Sequence, residues 1–145
     1  MTQFRPVTDS VSVSPQICIN DIDEAASMGV CHIINNRPDG ESADQPTNAD
    51  LCAYAESKGI RWTFIPIVPG QVTADSVAQT SDALKQNEKT LAFCRSGTRS
   101  CNLWGLSQAY AGTEETTVIL QKASAAGYDL SGIIPALEQL RADAK

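Results

Sequence analysis

The stretch LAFCRSGTRS, residues 91–100, sets a thiol, two guanidinium groups, three hydroxyls and a glycine at the end of an apolar run. A cysteine reacts as its thiolate, and a free thiol with a pKa of about 8.5 is only a few per cent ionised at neutral pH. The surroundings of Cys94 suit the anion. The loop is expected to run straight into a helix carrying Leu103 and Trp104, so unpaired N–H groups and the positive helix end should face the sulfur. Gly97 permits the positive φ of an N–H cradle. Arg95 and Arg99 add fixed positive charge and planar donors for an oxyanion. The expectation is a nucleophilic Cys94 and a catalytic Arg99. Arg95, Ser96, Gly97, Thr98 and Ser100 should form an anion-binding loop around them.

The second polar concentration is NNRPDGESADQPTNAD, residues 35–50, which has no large apolar side chain. A polar loop of this length in a compact domain is typically functional or mobile. Arg37 is expected to line the pocket, with Asp39 or Glu41 orienting an arginine. Pro38-Asp39-Gly40 is equally strong turn chemistry.

These loops need elements to hold them. Residues 11–17, 30–34, 60–67 and 89–94 read as strands. Helices should fill the intervals: Asn20 capping 21–28, Thr47 paired with Asp50 ahead of Leu51, and Thr73 ahead of Val77 and Leu84. Further helices are expected up to Gly112, from Thr113 to near Gly127, and from Ser131, with Pro135 in the first turn of the last. Alternating strands and helices predict an α/β fold with a mainly parallel central sheet of about four to five strands flanked by helices. The crevice of such a sheet lies at the carboxyl ends of its strands, where both polar loops begin.

Length and composition bound the rest. The 145 residues suit a single domain, 1–145, and 42% hydrophobic with 19% charged residues is ordinary for a globular chain. A net charge of −6 speaks against nucleic-acid or anionic-membrane partners. No run is long and apolar enough to cross a bilayer, and the N-terminus lacks signal-peptide grammar. The five cysteines, at 18, 31, 52, 94 and 101, read as reduced thiols of a cytoplasmic protein. Cys101 could resolve an oxidised Cys94, or simply be buried as Cys18, Cys31 and Cys52 are expected to be. His32, the one histidine, is read as structural, and no spacing supports a metal site or a cofactor motif.

CRSGTRS resembles the active-site loop of rhodanese-type sulfurtransferases, in which a cysteine carries sulfane sulfur as a persulfide. The wider pattern resembles tyrosine and dual-specificity phosphatases. More closely, SPQI at 14–17, NRPDGE at 36–41 and CRSGTRS with Trp104 behind it resemble the phosphatase-like domain of beta-lactamase-hydrolase-like proteins. That resemblance spans about residues 10–140 and implies the cysteine-dependent, dual-specificity phosphatase-like fold. It also implies a metallo-hydrolase partner domain resembling persulfide dioxygenases.

Such phosphatases place five residues between cysteine and arginine, whereas four separate Cys94 from Arg99, with Ser100 at the arginine's place. Their aspartate general acid also lacks a counterpart. VPGQVTADS, 68–76, has no acid before Asp75, leaving Asp39 or Glu41 as substitutes. Both departures favour sulfur transfer, with a persulfide on Cys94, an anionic sulfane-sulfur donor and a thiol acceptor. The alternative is phosphate-ester hydrolysis through a phosphocysteine. A second alternative is a non-catalytic anion-binding or persulfide-carrier module.

Overall fold

In the computed structural model, residues 4–85 and 88–144 are described. Five strands form one sheet in the order β1-β2-β5-β3-β4. β2 (Val11–Ser14), β3 (His32–Asn35), β4 (Arg61–Phe64) and β5 (Thr90–Phe93) run parallel, and β1 (Arg5–Pro6) joins β2 antiparallel. The four parallel strands and the flanking helices are as expected. β1 was not, because Arg5–Pro6 shows no alternation to betray a strand and pairs only because β2 offers an edge.

The period of two in these strands sorts their side chains to opposite faces. Ile33, Leu91 and Phe93 enter one core with Ile22 and Ala25 of α1 (Ile19–Ser27) and Leu51 and Ala55 of α2 (Asn48–Ser57). Ile34 and Ala92 enter the other, with Val77 of α3 (Ala74–Leu84) and Leu103, Trp104 and Leu106 of α4 (Thr98–Ala111). α5 (Thr116–Ala125) and α6 (Ile134–Asp143) close that second core through Ile119 and Leu137. Gly105 allows the close approach: a Cβ there would stand 2.9 Å from Leu130 and 3.0 Å from Ile119.

Three caps differ from expectation. α1 starts from Cys18, whose N–H donates to Asp21 Oδ2 at 2.9 Å, so Asn20 lies inside the helix. Thr113 closes α4, its N–H donating to the Gln108 carbonyl, and α5 starts from Glu115. Residues 131–133 form a 3-10 turn before α6, which leaves Pro135 at the start of that helix. Thr47 and Thr73 cap as expected, accepting from the N–H groups of Asp50 and Ser76.

Register is what builds the site. Ser14 and Asn35 both stand opposite Phe93, and Phe64 stands opposite Asn35. All four parallel strands therefore end at one level, and the loops after them converge at one edge.

Candidate active site

Cys94 follows the last residue of β5 and is fully buried. Its own N–H donates to the Ser14 carbonyl, and the loop folds back so that the Gly97 N–H donates to Cys94 Sγ at 3.1 Å. That return needs Gly97 at a φ of 95°. Tyr128, between α5 and α6, seals the outside of the turn by donating its hydroxyl to the Ser96 carbonyl at 2.9 Å. A Cβ on Gly97 would lie 2.0 Å from that hydroxyl oxygen. Two constraints, φ and space, therefore require glycine here.

α4 begins at Thr98, so Arg99 and Ser100 lie in its first turn, where N–H groups have no preceding carbonyl to bind. The Arg99 side chain reaches across to the loop after β3. Its Nη1 and Nη2 donate to Oε2 and Oε1 of Glu41 at 2.8 and 2.9 Å, and Nη1 also donates to the Ile67 carbonyl at 2.8 Å. Arg37 approaches the same carboxylate through Nε at 2.9 Å, while its Nη1 donates to Gln16 Oε1 at 3.0 Å. Glu41 thus bridges two guanidiniums. The Arg99 hydrogen bond, helped by that of Arg37 and by both charges, lowers its pKa to about 2 despite the opposing effect of burial. The Glu41 hydrogen bond holds Arg99 firmly protonated, against the opposing effect of burial.

The polar loop is ordered by its own amides. Gln45 donates to the Pro38 carbonyl and accepts from the Glu41 N–H, and the Arg37 N–H donates to Asn35 Oδ1. Asn48 Oδ1 accepts from both Asn35 Nδ2 and the Trp62 indole. The loop is therefore a preformed bracket for Arg37 and Glu41.

Among the expected site residues, Cys94, Gly97, Arg99 and Arg37 come together here. Arg95, Ser96 and Thr98 are exposed on the loop itself, where Ser96 donates to the Thr98 hydroxyl at 3.0 Å. The Ser100 hydroxyl does not face the loop: it donates to Asn36 Oδ1 at 2.8 Å, and Asn36 donates to the Ile65 carbonyl. Ser100 can offer an anion its N–H, not its side chain. Of the two carboxylates expected to orient an arginine, Asp39 is not the one that does so. Its Oδ1 accepts from the Asn48 N–H at 2.8 Å, so it ties down the first turn of α2, and Glu41 is the residue that orients the arginines.

Gln16, Asn36 and Tyr128 were not singled out in the sequence, since an amide or phenol carries no spacing signal. Cys101 is buried, and desolvation together with the Cys94 charge pushes its thiol up to about 12. Cys18 and Cys31 are exposed, against expectation, because each sits at an element boundary outside the core. His32 is buried and hydrogen-bonded to Thr63 at 2.6 Å, at the opposite end of the strands. No group of described residues is arranged to hold a metal ion, and no described helix is long and apolar enough to cross a membrane. A cavity of about 870 Å³ opens elsewhere, lined by Pro6, Ser81, Trp104, Gln108, Glu114 and Lys122, with no residue of the Cys94 loop.

Residues 3–111 match the family described as beta-lactamase hydrolase-like protein, phosphatase-like domain. The chain belongs to this family. A beta-lactamase hydrolase-like protein of Xylella fastidiosa (strain 9a5c) is 29% identical over 134 residues. These cover 92% of this chain but 31% of the relative, so the chain spans about a third of the length of the curated relatives it matches. A Neisseria meningitidis structure described as a "putative phosphatase" superposes with a TM-score of 0.82 at 29% identity, covering 97% of this chain and 100% of that one. Kinase associated phosphatase, solved with its catalytic-site cysteine changed to serine, gives a TM-score of 0.73 at 18% identity, covering 97% and 93%. The phosphatase-like domain therefore has the α/β fold of cysteine-dependent phosphatases. The comparisons favour the phosphatase alternative over the sulfur-transfer reading that loop spacing suggested.

Proposed function

We propose that this domain hydrolyses phosphoryl esters through a covalent phosphocysteine on Cys94. The observation that carries the reading is the geometry around the sulfur: a buried Sγ held by the Gly97 N–H at 3.1 Å, beside an Arg99 that Glu41 grips with both oxygens. The Cys94 thiolate attacks phosphorus, and the P–O bond to the leaving group breaks with its electron pair on the departing oxygen. Water then attacks the phosphorus, forming a new P–O bond as the S–P bond breaks. The pair returns to Sγ, and both protons of that water end on the inorganic phosphate. Loop N–H groups from Arg95 to Ser100 bind the equatorial oxygens, Arg99 stabilises their charge, and Arg37 adds a second positive group at the mouth. These roles account for a buried sulfur, a preformed arginine and a glycine-dependent turn at one sheet edge.

Acid quenching during turnover of a chromogenic aryl phosphate should trap the phosphoprotein, with the label on Cys94. Cys94→Ser should abolish both the label and phosphate release. Full turnover by that variant would overturn the reading. One observation favours a second reading: four residues rather than five separate Cys94 from Arg99, which gives a smaller loop. In that case Cys94 would take the outer sulfur of thiosulfate, release sulfite, and pass the sulfur to an acceptor thiol. A mass gain of one sulfur atom on Cys94, lost on adding cyanide, together with no phosphate release, would select it. A metallo-hydrolase-type partner, implied by the family resemblance, and a cytoplasmic location, read from the five scattered cysteines, belong with this proposal as expectations.

A further inference from the structure

The hydroxyls of the Cys94 loop, Ser96 and Thr98, are too weakly acidic to protonate a leaving group, and each stronger acid nearby is otherwise engaged. Glu41 is the carboxylate nearest Arg99, but two guanidiniums hold it as an anion. Asp39 spends its Oδ1 on the Asn48 N–H at 2.8 Å. Asp44 accepts from Ser42 at 3.0 Å on the exposed side of the same loop. Asp75 lies in the exposed first turn of α3 and accepts from Gln79 at 2.8 Å. The Tyr128 hydroxyl already donates to the Ser96 carbonyl, and Cys101 is a buried thiol pushed to about 12. His32 lies at the amino end of β3, away from the edge where Cys94 emerges. Among the described residues, the site has a nucleophile and an anion clamp but no general acid.

We infer that the domain takes phosphoryl donors whose leaving group departs as a stable anion, such as acyl phosphates, phosphoanhydrides and acidic aryl phosphates, and discriminates against alkyl phosphate esters. This inference rests on the phosphatase reading. The reason is electronic balance. When Sγ attacks, the departing oxygen takes the P–O electron pair. A carboxylate, a phosphate or an acidic phenolate carries that charge unaided. An alkoxide must be protonated as it leaves, and general acid catalysis of such a step is typically worth about 10²–10⁴-fold. Arg99 and the loop N–H groups stabilise charge on the transferred phosphoryl group, which does nothing for the atom that leaves.

The test is the dependence of kcat/KM on leaving-group acidity, measured with the whole chain on substituted phenyl phosphates, acetyl phosphate and glycerol phosphate. This ratio reports the steps up to P–O cleavage even where phosphocysteine hydrolysis limits kcat. Unsubstituted phenyl phosphate, whose phenol has a pKa of about 10, should react about 10²–10⁴-fold less efficiently than an ester of a phenol several units more acidic. Glycerol phosphate should fall below it. Asp39→Asn, Asp44→Asn and Asp75→Asn should each leave the phenyl phosphate value within about twofold, where loss of an acid would cost 10²-fold or more. A flat dependence overturns the inference and leaves the phosphatase reading standing. So does a large loss in one aspartate variant confined to the poorer leaving groups. If no ester or acetyl phosphate gives Cys94-dependent phosphate, the phosphatase reading itself falls, and this inference with it.

Discussion

Arg99 and Glu41 meet through two parallel N–H···O bonds of 2.8 and 2.9 Å across 58 residues of sequence. A planar guanidinium held at both ends by one carboxylate has little rotational freedom left. Arg37 Nε donates to Oε1 of the same carboxylate at 2.9 Å, sharing that oxygen with Arg99 Nη2. The pair fixes where positive charge stands beside Cys94 before any substrate arrives, which is the preorganisation that charge stabilisation requires.

Glu41→Gln should therefore disorder Arg99 without removing its charge. In an assay of aryl phosphate hydrolysis, kcat/KM should fall about 10²-fold, the usual cost of misplacing a positioned group. A value within twofold of the parent would show that Arg99 does not depend on this clamp.

The same carboxylate makes stability depend on pH. Its pKa drops from 4.5 to about 2 on folding, chiefly through the Arg99 hydrogen bond. The stabilisation is thus fully present above pH 4.5 and is lost as pH falls towards 2, its size reduced by the solvent that reaches the pair. Urea unfolding of the parent and of Glu41→Gln should differ most at neutral pH and converge near pH 2. A gap that is constant across this range would exclude the linkage.

Gly97→Ala should be severe for two separable reasons, the φ of 95° and the 2.0 Å approach to Tyr128 Oη. Tyr128→Phe alone loses the bond to the Ser96 carbonyl and should cost about 1 kcal/mol in thermal unfolding. Placed together, the phenylalanine removes the closest atom but not the ring carbon at 2.8 Å or the backbone strain, so rescue should be partial. Full recovery of the parent's stability in the double variant would mean that φ contributes nothing.

Asp39→Ala removes a carboxylate from the N–H of the first residue of α2 and should destabilise the fold by about 1 kcal/mol. Turnover per folded molecule should be unchanged. A selective loss of activity at unchanged melting temperature would return Asp39 to the site.

Cys101 should not resolve an oxidised Cys94. At pH 8 the native protein should react with iodoacetamide at Cys18 and Cys31, which are exposed, and leave Cys101 unlabelled until it is unfolded. A Cys94–Cys101 disulfide after mild peroxide treatment, seen by peptide mapping, would contradict this.

Much of this was written locally. The CRSGTRS run announces a thiol on a strand-to-helix turn because strand ends, glycine turns and helix starts are short-range events, governed by a few neighbouring residues. The alternating elements predicted a mainly parallel sheet for the same reason, and Thr47 and Thr73 were recognisable as caps. β1 escaped because two residues carry no period and their pairing depends on β2.

Tertiary structure alone decided which side chain meets which. Asp39 and Glu41 stand two residues apart in one polar loop with the same chemistry, yet one reaches the α2 N-terminus and the other reaches Arg99. Tyr128 supports the Ser96 carbonyl from 32 residues away. Such contacts come from the shared register of four strand ends, which brings together loops that are distant in sequence. Composition and spacing along one chain hold no record of that convergence; it exists only once both cores have packed and the strands have stopped at a common level.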